Sequence, residues 1–273
     1  MPLVASDDAL APILDLARDL AERAGAIQRE RYETDLRIDT KSASIDLVTE
    51  VDRACEKLIV EGIEAARPDD AILAEEGHGE DHDAPFRWII DPLDGTTNFA
   101  HGFPRFCVSI GIERRAAQGD YERAIGIVYD PLLDERFEAV QGDGAWLRDR
   151  RLAVSPETEW GRALVATGFA YDVHRSEDDN LESFRNVVKS ARGIRRDGSA
   201  ALDLCYVAAG RVDAYWELKL HPWDVAAGYL ILEEAGGRVT DFVGGPSDRS
   251  GREVASSNGA LHAALLERIV RTP

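Results

Sequence analysis

Two amphipathic helices are predicted in the first quarter of the chain. Apolar residues recur every three to four positions through residues 8–32, a spacing that places them on one face of a helix. The same spacing runs through residues 51–66, and Arg67-Pro68 ends this second helix. Residues 41–47 have the composition of a loop. The polar face of the second helix is predicted to consist of Asp52, Arg53, Glu56, Lys57 and Glu64.

Beyond Pro68 the pattern changes to short runs that contain β-branched and aromatic residues, which is typical of strands. Gly142-Asp143-Gly144 is a turn signal ahead of a further short run at 145–147. We therefore predict that the two helices pack on a sheet. The main predicted strands of this sheet are residues 71–74, 86–90, 106–112, 124–129 and 136–140.

The later part of the chain mixes helical and strand patterns more evenly. This mixture predicts the α/β class, with helices and sheets in layers. A boundary near Ser155-Pro156 divides the chain into an N-terminal α+β part, residues 1–154, and a C-terminal α/β part, residues 155–273. The predicted strands of the second part are 163–167, 212–216 and 238–242, and its predicted helices are 181–191, 199–209, 224–235 and 259–270.

Charge and composition narrow the classes of function. The chain of 273 residues has 32 Lys and Arg against 51 Asp and Glu, and the formal net charge of −19 disfavours nucleic acid as the main ligand. No segment approaches the roughly 20 apolar residues of a membrane span, and the N-terminus lacks the pattern of a secretory signal, so we expect a cytoplasmic protein without a membrane partner. The odd and scattered Cys55, Cys107 and Cys205 indicate neither a disulfide framework nor a zinc site.

The segment Asp91-Pro92-Leu93-Asp94-Gly95 follows a predicted buried strand. We expect the strand to end at Asp91, because Pro92 cannot continue the ladder, and Gly95 permits a tight turn. Both carboxylates and the Leu93 carbonyl would then offer oxygen ligands suited to Mg²⁺, although the aspartates could instead only cap a turn. The N–H groups of Gly95 and Thr96 could cradle a phosphate if a helical turn begins there.

Two further acidic positions flank predicted elements. Glu75-Glu76 follows the run at 71–74, where an acidic pair is ordinarily part of a solvated loop. Asp224 precedes a predicted helix, where an aspartate is ordinarily an N-cap. A capping carboxylate can still offer its second oxygen to a metal, so both roles stay open for Asp224.

Taken together, these segments resemble the inositol monophosphatase family of Mg²⁺-dependent, Li⁺-sensitive sugar phosphatases. The resemblance rests on two signature stretches, residues 88–98 and 223–228, in the family's order and with a family-like separation. The acidic pair at 75–76 precedes them, and residues 196–201 and 217–221 lie where the family has its substrate segments. The resemblance covers nearly the whole chain and implies an alternating αβαβα sandwich of the sugar-phosphatase type.

The resemblance implies a phosphomonoesterase that acts by in-line attack of a metal-activated water. Its first expected substrate is myo-inositol 1-phosphate, and it is expected to be a homodimer. The alternatives are a phosphatase for fructose 1,6-bisphosphate, histidinol phosphate or 3′-phosphoadenosine 5′-phosphate, or a non-catalytic interaction protein with the same fold. By the resemblance, Glu75, Thr96 and Asp52 are catalytic, and up to three Mg²⁺ are held by Glu75, Asp91, the Leu93 carbonyl, Asp94 and Asp224.

The resemblance also implies a set of substrate residues. Glu217 can accept two hydrogen bonds from vicinal hydroxyls, unless it is an ordinary surface acid at a strand end. Lys41 matches a loop lysine of the family near the most weakly held metal, or it is a solvated lysine. The segment with His78 and His82 is interpreted as a solvated connection. The implied substrate-binding residues are Asp94, Gly95, Thr96, Gly198, Ser199, Ala200, Glu217 and Asp224.

Overall fold

Helices α1 (Ala11–Arg31) and α2 (Glu50–Ala66) form the first layer of the fold. The computed structural model describes residues 3–40, 47–247 and 249–269. Both predicted helices are confirmed, and both bury their apolar faces. The start of α2 is a capping box, in which Thr49 accepts the Asp52 N–H and the Asp52 carboxylate accepts the Thr49 N–H at 2.9 Å. A two-stranded antiparallel sheet, β1 (Ile38–Thr40) and β2 (Leu47–Thr49), precedes α2.

The second layer is a sheet of seven described strands, covered on one face by α1 and α2 as predicted. Its first pair of strands is parallel and the other neighbours are antiparallel. The strands lie in chain order as β3 (Ala71–Ala74), β4 (Phe86–Asp94), β5 (Cys107–Arg115), β6 (Tyr121–Asp130), β7 (Glu135–Val140), β8 (Gly144–Leu147) and β9 (Arg150–Arg151).

A β-bulge lies where the sequence predicts the end of β4. The prediction that the strand ends at Asp91 is wrong, because pairing with β5 resumes at Asp94 after a shift in register. Asp91 lies opposite Ser109 and Asp94 opposite Cys107, so β4 has one residue more than its partner. Pro92 has no N–H for the ladder, and the extra residue takes up the break. Helix α3 (Thr96–Ala100) follows directly, after Gly95 at a φ of 100°.

A second sheet, of five described strands, forms the fourth layer and is separated from the first sheet by a layer of helices. The predictions omit its strand β14 because this segment consists mainly of small residues, yet β14 lies between two partners with its residues 254–257 buried. Three-residue strand β11 is missed as well. In spatial order the strands are β11 (Gly193–Arg195), β10 (Leu164–Thr167), β12 (Ala214–Leu218), β14 (Glu253–Ser257) and β13 (Arg238–Thr240).

The remaining helices complete an alternating sandwich. Helices α5 (Ala200–Ala208) and α6 (Pro222–Glu234) lie between the two sheets, and α4 (Leu181–Val188) and α7 (His262–Leu266) cover the outer face of the five-stranded sheet. The order of layers is therefore αβαβα, which confirms the predicted architecture. The core around α5 and α6 draws on both parts of the chain, and the division after residue 154 stays a prediction. Among the described residues, no helix combines the length and apolarity needed to cross a bilayer.

Two glycines let α6 lie unusually close to the seven-stranded sheet. Gly111 and Gly126 are cross-strand partners on β5 and β6. A Cβ on Gly111 would lie 2.6 Å from the Ala226 Cβ, and a Cβ on Gly126 would lie 2.6 Å from the Ala227 carbonyl oxygen. Since both distances are below van der Waals contact, the absence of side chains here determines how closely the first turns of α6 approach the sheet.

We expect Gly126→Ala to destabilise the protein by about 1–3 kcal/mol, because the added methyl group meets main-chain atoms of α6 that cannot rotate away. The free energy of unfolding from urea titration measures this. Gly161→Ala is the matched control, since a Cβ at Gly161 meets nothing within 4 Å, and its cost should stay within about 0.5 kcal/mol. Equal stability of the two variants would contradict the close packing of α6.

Candidate active site

A cleft of about 510 Å³ opens where the end of β4, the end of β12 and the first turns of α5 and α6 meet. Nearly all of the predicted site residues line this one cleft. Asp52 instead supports the cleft from α2, behind Thr96. Lys41 lies outside the described residues. The predicted residues in the lining are Glu75, Asp91, Leu93, Asp94, Gly95, Thr96, Gly198, Ser199, Ala200, Glu217 and Asp224.

Three carboxylates converge at the floor of the cleft. One oxygen atom from each of Asp91, Asp94 and Asp224 lies within 4.8 Å of the corresponding atoms of the other two. The bulge in β4 brings the first two together, and the close approach of α6 brings the third. Asp91 and Asp94 are buried and Asp224 is half-buried. The sequence separates Asp224 from the other two by more than a hundred residues, so only the layered fold assembles the cluster.

Each of these carboxylates is oriented by hydrogen bonds from the main chain. Asp91 Oδ1 accepts the Leu93 N–H at 2.9 Å. Asp94 Oδ2 accepts the Ser199 hydroxyl and the Ala201 N–H, both at 2.7 Å, at the first turn of α5. These hydrogen bonds fix the orientation of both carboxylates at the floor of the cleft.

Asp224 is not the N-cap that its position before a predicted helix suggests. Helix α6 begins earlier, at Pro222, because proline is well suited to the first helical position. His221 is the N-cap, and Asp224 Oδ2 accepts its N–H at 2.7 Å. The carboxylate therefore lies within the first turn of α6, where the helix end favours negative charge.

Burial and repulsion between carboxylates raise the pKa values of Asp91 and Asp224. Burial, and then repulsion from Glu75, Asp94 and Asp224, raises the pKa of Asp91 well above its ordinary value. Burial, with repulsion from Asp94 and Glu75, does the same to the pKa of Asp224. A bound cation would remove this repulsion, and a set of oxygen donors fits a hard divalent cation. The residues present therefore fit the metal site that the sequence predicts.

Thr96 is bound to Asp52 as the resemblance implies. The Thr96 hydroxyl lies 2.8 Å from Asp52 Oδ1 and 3.0 Å from the Leu93 carbonyl oxygen, and it has a single proton to donate. The carboxylate is the stronger acceptor, so the hydroxyl donates to Asp52. The Thr96 proton is therefore not required by the Leu93 carbonyl, and Leu93 lines the cleft.

Glu75 belongs to the cleft rather than to a solvated loop. Its N–H donates to the Ile90 carbonyl at 3.2 Å, which continues the pairing of β3 with β4 for one more residue. Its side chain shares a hydrogen bond with Asp91. The following segment is only partly the solvated connection predicted, because the half-exposed His78 contacts Glu56 whereas His82 is exposed.

Glu217 is a buried acid and not a surface acid at a strand end. The Tyr215 hydroxyl donates to Glu217 Oε2 at 2.6 Å. Burial raises the pKa of Glu217 to about 7. A Cβ at Gly168 would lie 2.1 Å from Glu217 Oε1, so only glycine leaves room for the carboxylate in this position.

Sequence reasoning misses Gln28, which supports the bulge from α1. Gln28 is fully buried, and its Nε2 donates to the carbonyl oxygens of Pro92 at 2.8 Å and Cys107 at 3.3 Å. These carbonyls flank the shift in register between β4 and β5. The available signal was a polar residue at a helical spacing from Ala24, within the apolar face of α1.

Known proteins match this chain over almost its whole length. A model of the inositol monophosphatase family matches residues 9–272. The inositol-1-monophosphatase of Synechocystis sp. is 42% identical over 261 residues, covering 95% of this chain and 89% of that protein. The Nus factor SuhB of Pasteurella multocida is 44% identical over 261 residues, covering 94% of this chain and 96% of that protein.

Solved structures match the fold equally well. The inositol monophosphatase of Anabaena (Nostoc) sp. superposes with a TM-score of 0.84 at 39% identity, covering 95% of this chain and 96% of that one. The extragenic suppressor protein suhB of Bartonella henselae gives 0.87 at 37% identity, covering 96% and 100%. The five-layer fold and its carboxylate cleft thus define a metal-dependent phosphatase architecture. The chain belongs to the inositol monophosphatase family.

We expect a divalent cation to stabilise the protein more strongly as pH rises above the ordinary titration range of aspartate. The pKa values of Asp91 and Asp224 are raised in the folded protein, so the cation-free fold is favoured while both groups are protonated and loses stability as they ionise. At low pH a cation must also displace the protons of these carboxylates before it can bind. Melting temperatures with and without MgCl₂ at each pH measure the effect. Asp91→Asn should reduce the shift, and a shift independent of both pH and Asp91 would contradict the assignment.

Proposed function

We propose that the protein is a Mg²⁺-dependent phosphomonoesterase that hydrolyses inositol monophosphate to inositol and phosphate. The observation that supports this best is the convergence of Asp91, Asp94 and Asp224 within 4.8 Å, in a cleft that also contains the buried Glu217. A cluster of oxygen donors can hold the cations that bind the phosphate end of a substrate. The recessed Glu217 carboxylate can accept hydrogen bonds from the hydroxyls of a polyol end. The proposal includes a cytoplasmic location, a homodimer and sensitivity to Li⁺.

In this proposal the metal site is formed by both parts of the chain. When bound, Mg²⁺ supplies neutralisation of the phosphate charge, a lower pKa for a coordinated water and stabilisation of the leaving oxygen. Asp91 and Asp94 enter the site from the bulge and Asp224 from α6, so no single segment holds the cation. The proposed ligands of up to three Mg²⁺ are Glu75, Asp91, the Leu93 carbonyl, Asp94 and Asp224.

The chain's own groups orient the reactants. The N–H groups of Gly95 and Thr96 donate to phosphate oxygens at the turn that follows the bulge. The Thr96 hydroxyl, donating to Asp52 at 2.8 Å, presents a lone pair to the attacking water, and the Glu75 carboxylate accepts a proton from that water. Burial raises the pKa of Asp52, and its carboxylate accepts hydrogen bonds from Thr49 and Thr96, so its part in this proposal is to orient the Thr96 hydroxyl.

The alcohol half of the substrate lies against the opposite wall. Glu217 accepts hydrogen bonds from ring hydroxyls, while the Tyr215 hydroxyl holds one of its oxygens. Further contacts come from Asp94, the segment Gly198-Ser199-Ala200 and Asp224, all of which line the cleft. A ring with vicinal hydroxyls matches these acceptors and donors better than an apolar alcohol does.

Two alternatives follow from the relatives. The first is another substrate: fructose 1,6-bisphosphate, histidinol phosphate or 3′-phosphoadenosine 5′-phosphate. These esters share the phosphate group with inositol monophosphate and differ in the alcohol, so a panel of phosphate esters assayed with Mg²⁺ and with added Li⁺ distinguishes the substrates. Relatives named Nus factor SuhB suggest an interaction role. Sequence identity does not distinguish an enzyme from an interaction protein, since the identities to the inositol-1-monophosphatase of Synechocystis sp. and to SuhB of Pasteurella multocida are 42% and 44%. The intact carboxylate cluster favours the enzyme.

We expect Asp94→Asn to reduce Mg²⁺-dependent phosphate release from myo-inositol 1-phosphate by about 100-fold or more, because losing even an outer-shell partner of a metal ligand costs 10–100-fold. Phosphate release at saturating Mg²⁺ measures this. Asp19→Asn, at an exposed ion pair on α1, is the control and should keep wild-type activity. Undiminished turnover in Asp94→Asn would rule out the proposed site.

We expect Glu217→Gln to raise KM for inositol monophosphate by about 10-fold or more, because hydrogen bonds to a charged acceptor contribute roughly 1.5–3 kcal/mol. In the wild-type enzyme KM should rise as pH falls below about 7, since the Glu217 carboxylate then gains a proton and loses acceptor capacity. Steady-state kinetics between about pH 6 and about pH 8 test both statements. An unchanged KM, or the same pH dependence in the variant, would contradict the role of Glu217.

A further inference from the structure

Helix α2 presents two fully buried carboxylates to the rest of the protein. Asp52 and Glu56 are four residues apart, which places both on one face of the helix, one turn from each other. Both are 0% exposed, although the sequence assigns them to the polar face of α2. Asp52 accepts the Thr96 hydroxyl. The proposed function leaves Glu56 without a role.

Among the residues that the structure describes, the hydrogen bonds to the Glu56 carboxylate come from the turn that follows Glu75. Glu56 Oε2 accepts the Glu76 N–H at 2.7 Å, and Oε1 accepts the His78 N–H at 3.0 Å. The His78 Nδ1 lies 2.5 Å from the same Oε1. On the other side of Glu75, its own N–H pairs with the Ile90 carbonyl at 3.2 Å. The main chain is therefore held immediately before and immediately after Glu75.

The burial of Glu56 needs a compensating reason. A buried carboxylate is unfavourable unless its oxygens are hydrogen-bonded, and an apolar residue could fill the same position on α2 at less cost. Strand β3 ends at Ala74, and Gly77 takes a φ of 88°, so the turn between them has left regular pairing. The N–H groups of Glu76 and His78 in this turn donate to Glu56. The buried Glu56 carboxylate therefore fixes the conformation of the turn.

We propose that Glu56 is a positioning residue for the phosphatase reaction. Through Asp52 and Glu56, one face of α2 sets the position of Thr96 relative to Glu75. The inference rests on the proposed function, in which these two groups act on the same attacking water. Loss of Glu56 leaves every metal ligand and substrate contact in the chain but frees the Glu75 turn to move, and small displacements of reacting groups cost large factors in rate.

The test compares Glu56→Gln and Glu56→Ala with two controls. Glu61→Gln changes an acid on the same helix that is 64% exposed, and His78→Ala removes a side-chain contact but keeps both main-chain donors to Glu56. For each variant we measure kcat and KM for inositol monophosphate, the melting temperature, and the affinity and stoichiometry of Mg²⁺ binding by titration calorimetry.

We expect kcat to fall and the Mg²⁺ dissociation constant to rise by about 10–100-fold in Glu56→Ala, with a smaller effect in Glu56→Gln, which keeps one oxygen acceptor. The stoichiometry of Mg²⁺ binding should match the wild-type value, because the molecules are folded but their site is loosened. Glu61→Gln should behave as wild type and His78→Ala should lose less than about 3-fold.

A merely structural role would lower the stoichiometry of binding and the melting temperature while leaving the Mg²⁺ affinity of the folded molecules unchanged, and that result would overturn the proposal. Wild-type kcat and affinity in folded Glu56→Ala would overturn it too. If Glu56→Ala does not fold, the isosteric Glu56→Gln decides by the same measures. Absence of phosphate release by the wild-type protein would refute the proposed function, whereas the Mg²⁺ affinities would still test Glu56.

Discussion

Mutual repulsion among buried carboxylates is the constraint on which the rest of this structure depends. One carboxylate oxygen from each of Asp91, Asp94 and Asp224 lies within 4.8 Å of the others, with Glu75 against Asp91. Burial raises the pKa of all three aspartates, and repulsion from neighbouring carboxylates raises the pKa values of Asp91 and Asp224 further. Such a cluster disfavours folding unless the scaffold holds it and a cation compensates the charge. The fold can therefore be understood as the means of keeping these groups together.

The scaffold meets this demand with devices from separate layers. The bulge in β4 directs two aspartates toward one place, and Gln28 donates hydrogen bonds to the carbonyls of Pro92 and Cys107 beside it. The side-chain-free pair Gly111 and Gly126 admits α6 and with it Asp224. These devices are polar or steric rather than hydrophobic.

The membership of the inositol monophosphatase family and the geometry of the cleft support each other. Identity of about 40% over nearly the whole chain establishes the fold, and the position of Glu217 beside Tyr215 and Gly168 shows how the far wall is built. In the proposed function the floor of the cleft binds the phosphate and the cations, whereas this wall binds the alcohol. Under the same proposal, selectivity among phosphate esters depends mainly on this wall, on β12 and its neighbours.

The sequence by itself determined the elements with strong periodicity and the residues with distinctive chemistry. The spacing of apolar residues predicted α1 and α2, and the signature stretches predicted the carboxylates that line the cleft. It could not predict β14, whose small residues carry no strand pattern, because its strand character comes from the partners on either side. Nor could it predict where β4 ends, because the bulge depends on pairing with β5.

Only the tertiary structure decided the roles of Gln28, Glu56 and Gly168. Each of these residues acts on a segment distant in the chain, on Pro92, on the turn after Glu75 and on Glu217 respectively. Periodicity reports which face of a helix is apolar, and it cannot report that a polar group is buried because a main-chain donor or acceptor from another layer meets it there. The chemistry of the site was therefore present in the sequence, and its alignment was decided by contacts between layers.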